Sequence, residues 1–421
     1  MTAPDASRPD PEAGAALPEE RGFLLRLYLH AFVARLYFYL PVVVLHMERQ
    51  LGEAGFERPR ALSLSMLALI SAGVILAEYP SGVLADWGGR KRTLIMAGVI
   101  QCAGILCFAV ERSLLAICLA QLLIGVGTAF RSGADTSLVH SYLESRGRAP
   151  SYGTTLARLR FCNVLAMASS SACGGLLYAR DPRLVFWLAA GASLLGALLL
   201  VGVREPAGER RGRPYMGVLR QSLDELRTNH AARALTLLGG VGNPYFVLAF
   251  WAAQSYLVDI ETPLPWLGVT VASMSLLQGL TMPLSAYLGQ SRRRTGAALS
   301  ALVMLPALSF LLVAWAWWSG RPFVGTAALV LTSGCHVLYR NAVNLKLQAI
   351  VPDAVRASIV SMEAFIGSLW YLGLFPLAGW LLSSAGTGRG FFVIALLAAV
   401  SITPSLRRAL RAGVFRSGPM A

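Results

Sequence analysis

Apolar residues fall along this chain in blocks of about 20, the length an α-helix needs to cross a bilayer, separated by short polar breaks. The first six blocks are Leu24–His46, Ala61–Leu84, Thr93–Val110, Leu114–Ala134, Gly153–Tyr178 and Leu184–Val203. The second six are Ala234–Val258, Trp266–Leu288, Thr295–Trp318, Phe323–Leu345, Ala357–Ser383 and Phe391–Pro404. Between the sets runs the longest polar stretch, Arg204 to Arg233, which opens EPAGERRGRP and continues as an amphipathic LRQSLDELR. The pattern predicts an all-α membrane protein with twelve transmembrane helices in two six-helix bundles, at 21–203 and 234–405, joined by a linker at 204–233. The Pro- and acid-rich segment 1–20 has no cationic region or cleavage site and reads as a disordered cytoplasmic tail, with a second tail at 406–421.

Composition agrees with a bilayer environment. Of 421 residues, 55% are hydrophobic and 14% charged, about half the charge of an average soluble domain. The net charge of +15 would suggest nucleic acid if it were gathered on one domain, but it is dispersed among loops. On one side the loops and the linker hold 20 Lys and Arg, and on the other 8. The positive-inside rule then puts the first side, and both termini, in the cytoplasm of a multi-pass protein of the cell (inner) membrane. All six cysteines lie in apolar stretches without metal-ligand spacing, so neither a metal nor a cofactor is expected. The expected partners are the lipid bilayer, a small-molecule substrate and protons; no nucleic acid is expected, and the protein should be a monomer.

The two sets echo one another. Pro80-Ser81-Gly82 precedes Arg90, and Pro283-Leu284-Ser285 precedes Arg293 at the same interval, the two arginines lying 203 residues apart. Parallel six-helix repeats are one plan of secondary transporters. The loop after the second block reads GVLADWGGRKR from Gly82 to Arg92. Here Gly82, Asp86, Gly89, Arg90 and Lys91 match the G-x-x-x-D-x-x-G-R-K/R loop of the major facilitator superfamily, which the chain resembles over its whole plan. Glu78 to Gly82 and Arg131 to Asp135 resemble its bacterial drug-exporter branch. The resemblance implies alternating access, with this loop as a latch. Gly82 permits close helix approach and Gly89 a tight turn. The resemblance implies that Asp86 meets the start of span eleven near Asp353 to Arg356, an anion at a helix N-terminus. Arg90 would pair with an acid at the end of span four. Ser141 stands where relatives often carry Asp, leaving Glu144 as the nearest acid. Of the Gly-Pro-rich stretch that drug antiporters carry in span five, only Gly174-Gly175 remains.

Ionisable groups inside spans are costly and mark function. The acids Glu78, Asp135 and Glu363 are the proton-coupling candidates, because a carboxyl shielded from water can load and release a proton. Arg131 and Asp135, four residues apart, can neutralise one another on one helical face. Arg35 sits near the middle of span one with no acid within a turn, and should pair with an acid of another span or an anionic substrate group. Substrate-cavity candidates are Arg35, His30, Asn243, Gln254, Gln278, His336, Asn341, Trp370 and Tyr371. No nucleophile triad or phosphate loop occurs, so an enzyme is not expected. The expected function is secondary active transport, by proton-coupled efflux of an amphipathic compound. The alternatives are proton-coupled import of a small anionic solute and a non-transporting membrane sensor.

Overall fold

The computed structural model describes residues 18–110, 113–203, 205, 215–290, 295–352 and 355–414. These form helices, with no strand among the described residues. The first eight are α1 Pro18–Val33, α2 Val43–Glu53, α3 Pro59–Gly88, α4 Arg90–Val110, α5 Leu114–Arg131, α6 Ala134–Ser145, α7 Tyr152–Arg180 and α8 Leu184–Leu199. After α9 Tyr215–Thr228 in the linker come α10 His230–Asp259, α11 Leu264–Gln290, α12 Thr295–Trp318 and α13 Pro322–Gly334. The last are α14 His336–Ile350, α15 Arg356–Ser384 and α16 Thr387–Arg411. Ten helical segments are long and apolar enough to cross a membrane, and two shorter apolar helices, Gly22–Val33 and Leu184–Leu199, occupy the places of the first and sixth expected spans.

Helix starts follow local chemistry. Ser113 accepts a hydrogen bond from the Ala116 amide (3.0 Å) and Asn229 from that of Ala232 (2.9 Å), so each satisfies an amide that has no partner within its helix. Pro59 and Pro322 open α3 and α13, where a missing N–H is harmless.

Three of the expected spans are interrupted. The first is split into α1 and α2 by an irregular segment, 34–42, that contains Pro41. The fourth breaks at Ser132-Gly133, where Gly133 adopts φ +75°, and then continues as α6. The tenth breaks between Gly334 and His336. Hydropathy reads through such breaks, because a few non-helical residues leave the apolar average unchanged.

The packing repeats. In the first set α1 lies against α7 and α8, α3 against α5, and α4 against α5 and α8; in the second α10 lies against α15 and α16, α11 against α13 and α14, and α12 against α13 and α16. The two sets meet along α3 with α15 and α7 with α11. The second seam depends on missing side chains: a Cβ on Gly175 would strike the Leu264 carbonyl, and one on Gly268 the Ser171 carbonyl. Small residues let backbones meet where lipid gives no hydrophobic drive.

Candidate functional site

The linker joins the end of α8 to the start of α10, so one face of the molecule carries it and the opposite face carries the far ends of α2, α3 and α10. At that far face the two sets are tied by polar bonds. Arg60, at the start of α3, donates to both carboxylate oxygens of Asp259, at the end of α10 (2.9 and 2.5 Å), and lies 3.6 Å from Glu48 of α2. Ser255 donates to Glu48 (3.0 Å), and Thr387 donates to Asp259.

Gln254 completes the tie. Its amide nitrogen donates to the Leu40 carbonyl (2.9 Å), and its oxygen accepts from the Val44 amide (3.1 Å). Those two backbone groups are among the ones left free by the break between α1 and α2, and in a bilayer such groups need a protein partner. Expected in the substrate cavity, Gln254 instead is fully buried with both polar ends spent on this clamp. Gln278 behaves alike: it donates to the Ser333 carbonyl (3.1 Å), while Thr281 donates to that of Gly334 (2.9 Å). Both serve the break between α13 and α14.

Between the first interruption and the linker face lies a cavity of about 330 Å³, lined by Leu27, His30, Ala31, Ala34, Arg35, Arg131, Gly133, Asp135, Thr136, Leu156, Leu159, Arg160 and Asn163. Buried Arg131 holds its wall. One terminal nitrogen donates to the Tyr37 hydroxyl (2.8 Å) and the Ala34 carbonyl (3.5 Å), the other to Gln101 (2.5 Å). The expected Arg131–Asp135 neutralisation is not found. The αL turn at Gly133 ends the helix between them, and Asp135 instead accepts from the Thr136 amide (2.7 Å). The His30 Nδ1 donates to the Gly196 carbonyl (2.8 Å). The Arg35 guanidinium lies 5.9 Å from the centre of the Tyr37 ring and makes no ion pair among the described residues.

Candidates in the second set gather elsewhere. The His336 Nε2 is 2.7 Å from the side-chain oxygen of Asn243 and its ring stacks on Phe246. Asn341 donates to Ser285 (3.4 Å). Tyr371 tilts against Phe375, and Trp370 and Tyr371 are half-buried against the core. Glu363 is buried with its carboxyl against Gly239 of α10. Glu78 is exposed; it stands 18 residues, about five turns, after Arg60 on the same stripe of α3, so it points between the sets but at the linker end. Of the three acids, Asp135 alone lines the cavity with Arg35.

The loop between α3 and α4 is built differently from expectation. Gly89 turns with φ +92°, as its place in the motif requires. Among the described residues nothing approaches Gly82 within 4 Å of where a Cβ would be, so it makes no close contact with another described helix. Arg90 donates to the Ser137 carbonyl (2.8 Å) and to the Ser141 hydroxyl, so the serine takes the place of the missing acid. Glu144 is exposed and sits 3.5 Å from His140 on its own helix. Glu205 of the linker receives the Arg90 amide (2.6 Å) and the Lys91 amide (3.2 Å), a carboxylate on the helix N-terminus, and Lys91 Nζ donates to the Val201 carbonyl (2.7 Å). The side chain of Asp86, residues 353 and 354 just before the start of span eleven that it is expected to meet, and Arg292 to Arg294 lie outside the described residues.

Sequence reasoning missed Tyr37, Gln101, Glu48, Arg60, Asp259 and Glu205. Arg60 and Asp259 read as ordinary charges at span ends, and only folding brings them together. Tyr37 and Gln101 had a signal: polar residues within apolar blocks, at the level of Arg35 and Arg131.

No curated protein matches the sequence. Solved structures match it in shape. The POT family transporter PepTSo is 12% identical with TM-score 0.74 over 95% of this chain and 99% of that one. A D-xylose–proton symporter is 13% identical with TM-score 0.72 over 94% and 98%. A bacterial homologue of the human lysosomal transporter Spinster, in an inward-facing and occupied conformation, is 16% identical with TM-score 0.72 over 96% and 100%. At these identities the likeness is one of fold. The model of the Major Facilitator Superfamily matches residues 27–373, and with that match over most of its length the chain belongs to this superfamily of membrane transporters.

Proposed function

We propose that the protein is a proton-coupled secondary transporter of twelve spans, caught with its substrate cavity toward the cytoplasm. The carrying observation is the contrast of its two ends: the far face is tied shut by Arg60, Asp259, Glu48 and Gln254, while the polar cavity lies toward the linker. That is one of the two states alternating access requires, and the excess of Lys and Arg makes the linker face cytoplasmic. The two helix sets are then the rocking bundles, with α1 and α8 as the first and sixth spans. Glu363, buried in the second bundle against α10, is the proton carrier, and Asp135 and Glu78 line the cytoplasmic approach. Export of an amphipathic compound against protons is favoured by Gly175, the remnant of the antiporter stretch, which lies in the far seam between α7 and α11. A second reading, import of a small anionic solute with a proton, is favoured by Arg35, which makes no ion pair among the described residues.

The test is a proteoliposome assay in which a pH-sensitive dye reports proton movement as amphipathic compounds are added. Export predicts that a transported compound discharges a preset pH gradient. Glu363→Gln should abolish the discharge while exchange of labelled for unlabelled compound persists. Full coupling in a Glu363→Gln, Glu78→Gln double variant would remove both acids as carriers.

A further inference from the structure

The cavity in the first set has a charge inventory that its own residues do not balance. Arg35, Arg131 and Arg160 line it against the single acid Asp135. Arg131 is part of the wall, since both its terminal nitrogens are held by Tyr37, Ala34 and Gln101. Tyr37 accepts from Arg131 and is within 3.5 Å of Gln101, so its hydroxyl is committed as well. Arg35 and Arg160 make no ion pair among the described residues. Arg35 is half-buried and Arg160 exposed, and a carboxylate-like anion offers both guanidinium groups charge-assisted hydrogen bonds.

Resting on the reading of this cavity as the substrate site, we infer that it takes an organic anion with an apolar body. The anionic group seats on Arg35 and Arg160. Asp135, in the same wall, offsets one of the three guanidinium charges and leaves the lining net positive. The apolar body lies along Leu27, Ala31, Leu156 and Leu159. His30 adds a selective contact: its Nδ1 is held by the Gly196 carbonyl, which leaves Nε2 as an acceptor for a hydroxyl or N–H on the ligand. At about 330 Å³ the cavity is at the small end of ligand sites. The chemistry is the same whichever way the solute moves.

The experiment is calorimetric titration of the full-length protein in phosphatidylcholine nanodiscs with three probes of one shape: 4-phenylbutyrate, its amide, and 4-phenylbutylamine. The carboxylate should bind at least about 10-fold more tightly than either of the others. Arg35→Gln should weaken the carboxylate about 10- to 100-fold and leave the amide unchanged, and Arg35→Lys should restore part of the difference. Arg160→Gln gives a second reading if the Arg35 variant does not fold. Equal or tighter binding of the amide or amine, no binding of any probe to the unaltered protein, or a carboxylate preference indifferent to both arginines would overturn the inference. Proton-linked flux in the proteoliposome assay stands or falls separately. Flux without anion preference defeats the substrate class alone, and anion binding without flux defeats the transport mechanism alone.

Discussion

The two ends of the molecule are made from the same helices and handle polar groups in opposite ways. At the far face, charges are consumed by protein: Arg60 by Asp259 and Glu48, and the backbone freed in the first span by Gln254. Toward the linker face, Arg35 and Arg160 line a cavity and make no ion pair among the described residues, and no described residue comes within 4 Å of where a Cβ on Gly82 would be. A transporter in one state should show this asymmetry. Groups that seal one end are spent on one another, and groups at the other end wait for solute or for the partner bundle. Breaking the far end should therefore shift the balance of states, and altering the cavity should change what binds.

The largest effect is expected at the backbone seam. In Gly175→Val the new side chain has no room against the Leu264 carbonyl, so the far face cannot close as it does here. Transport should be lost, and a membrane-impermeant thiol reagent should label a cysteine placed at the far ends of α7 or α11 faster than in the parent. Unchanged labelling and flux would mean that the seam is not the seal.

Next comes the clamp. Gln254→Ala leaves the Leu40 carbonyl and the Val44 amide without partners, a loss of about 1–3 kcal/mol for a buried group. If that loss falls mainly on the closed far face, the population should move toward a state open at that face by roughly 10-fold. Double electron–electron resonance distances between spin labels on the far ends of α3 and α10 would show it. A fall in thermal stability with no change in the distance distribution would make Gln254 a general packing residue.

The smallest effect is expected at the linker face. Glu144→Gln should leave transport and stability unchanged, because Arg90 is held by Ser137 and Ser141 and not by Glu144. A marked loss of flux in that variant would show that Glu144 takes over as Arg90's partner in the other state.

Helical membrane architecture was legible in the sequence, because every span has to be apolar and about 20 residues long whatever it packs against. The glycine turn at Gly89 was legible for a similar reason, since its positive φ is a local demand. The interruptions were not: Ser132-Gly133 changes neither the length nor the mean hydropathy of its block, yet it separates Arg131 from Asp135 and undoes the neutralisation their spacing suggests. The roles of polar residues within spans were only partly legible. Arg35 and His30 do line the cavity, whereas Gln254 and Gln278, equally polar and equally placed, are consumed by broken helices that sequence does not reveal.

What the sequence determined by itself is the set of apolar spans, their grouping about a charged linker, and the superfamily signature from Gly82 to Lys91. These rest on composition and short-range geometry, which act within one span or one turn. Only the tertiary structure decided which charges are spent and which are left over. Arg60 meets Asp259 across 199 positions and Arg131 meets Tyr37 across 94, while Arg35 makes no ion pair among the described residues. A buried charge is stabilised by whatever group lies within a few ångströms of it, and that neighbour is set by how the helices pack rather than by their order along the chain.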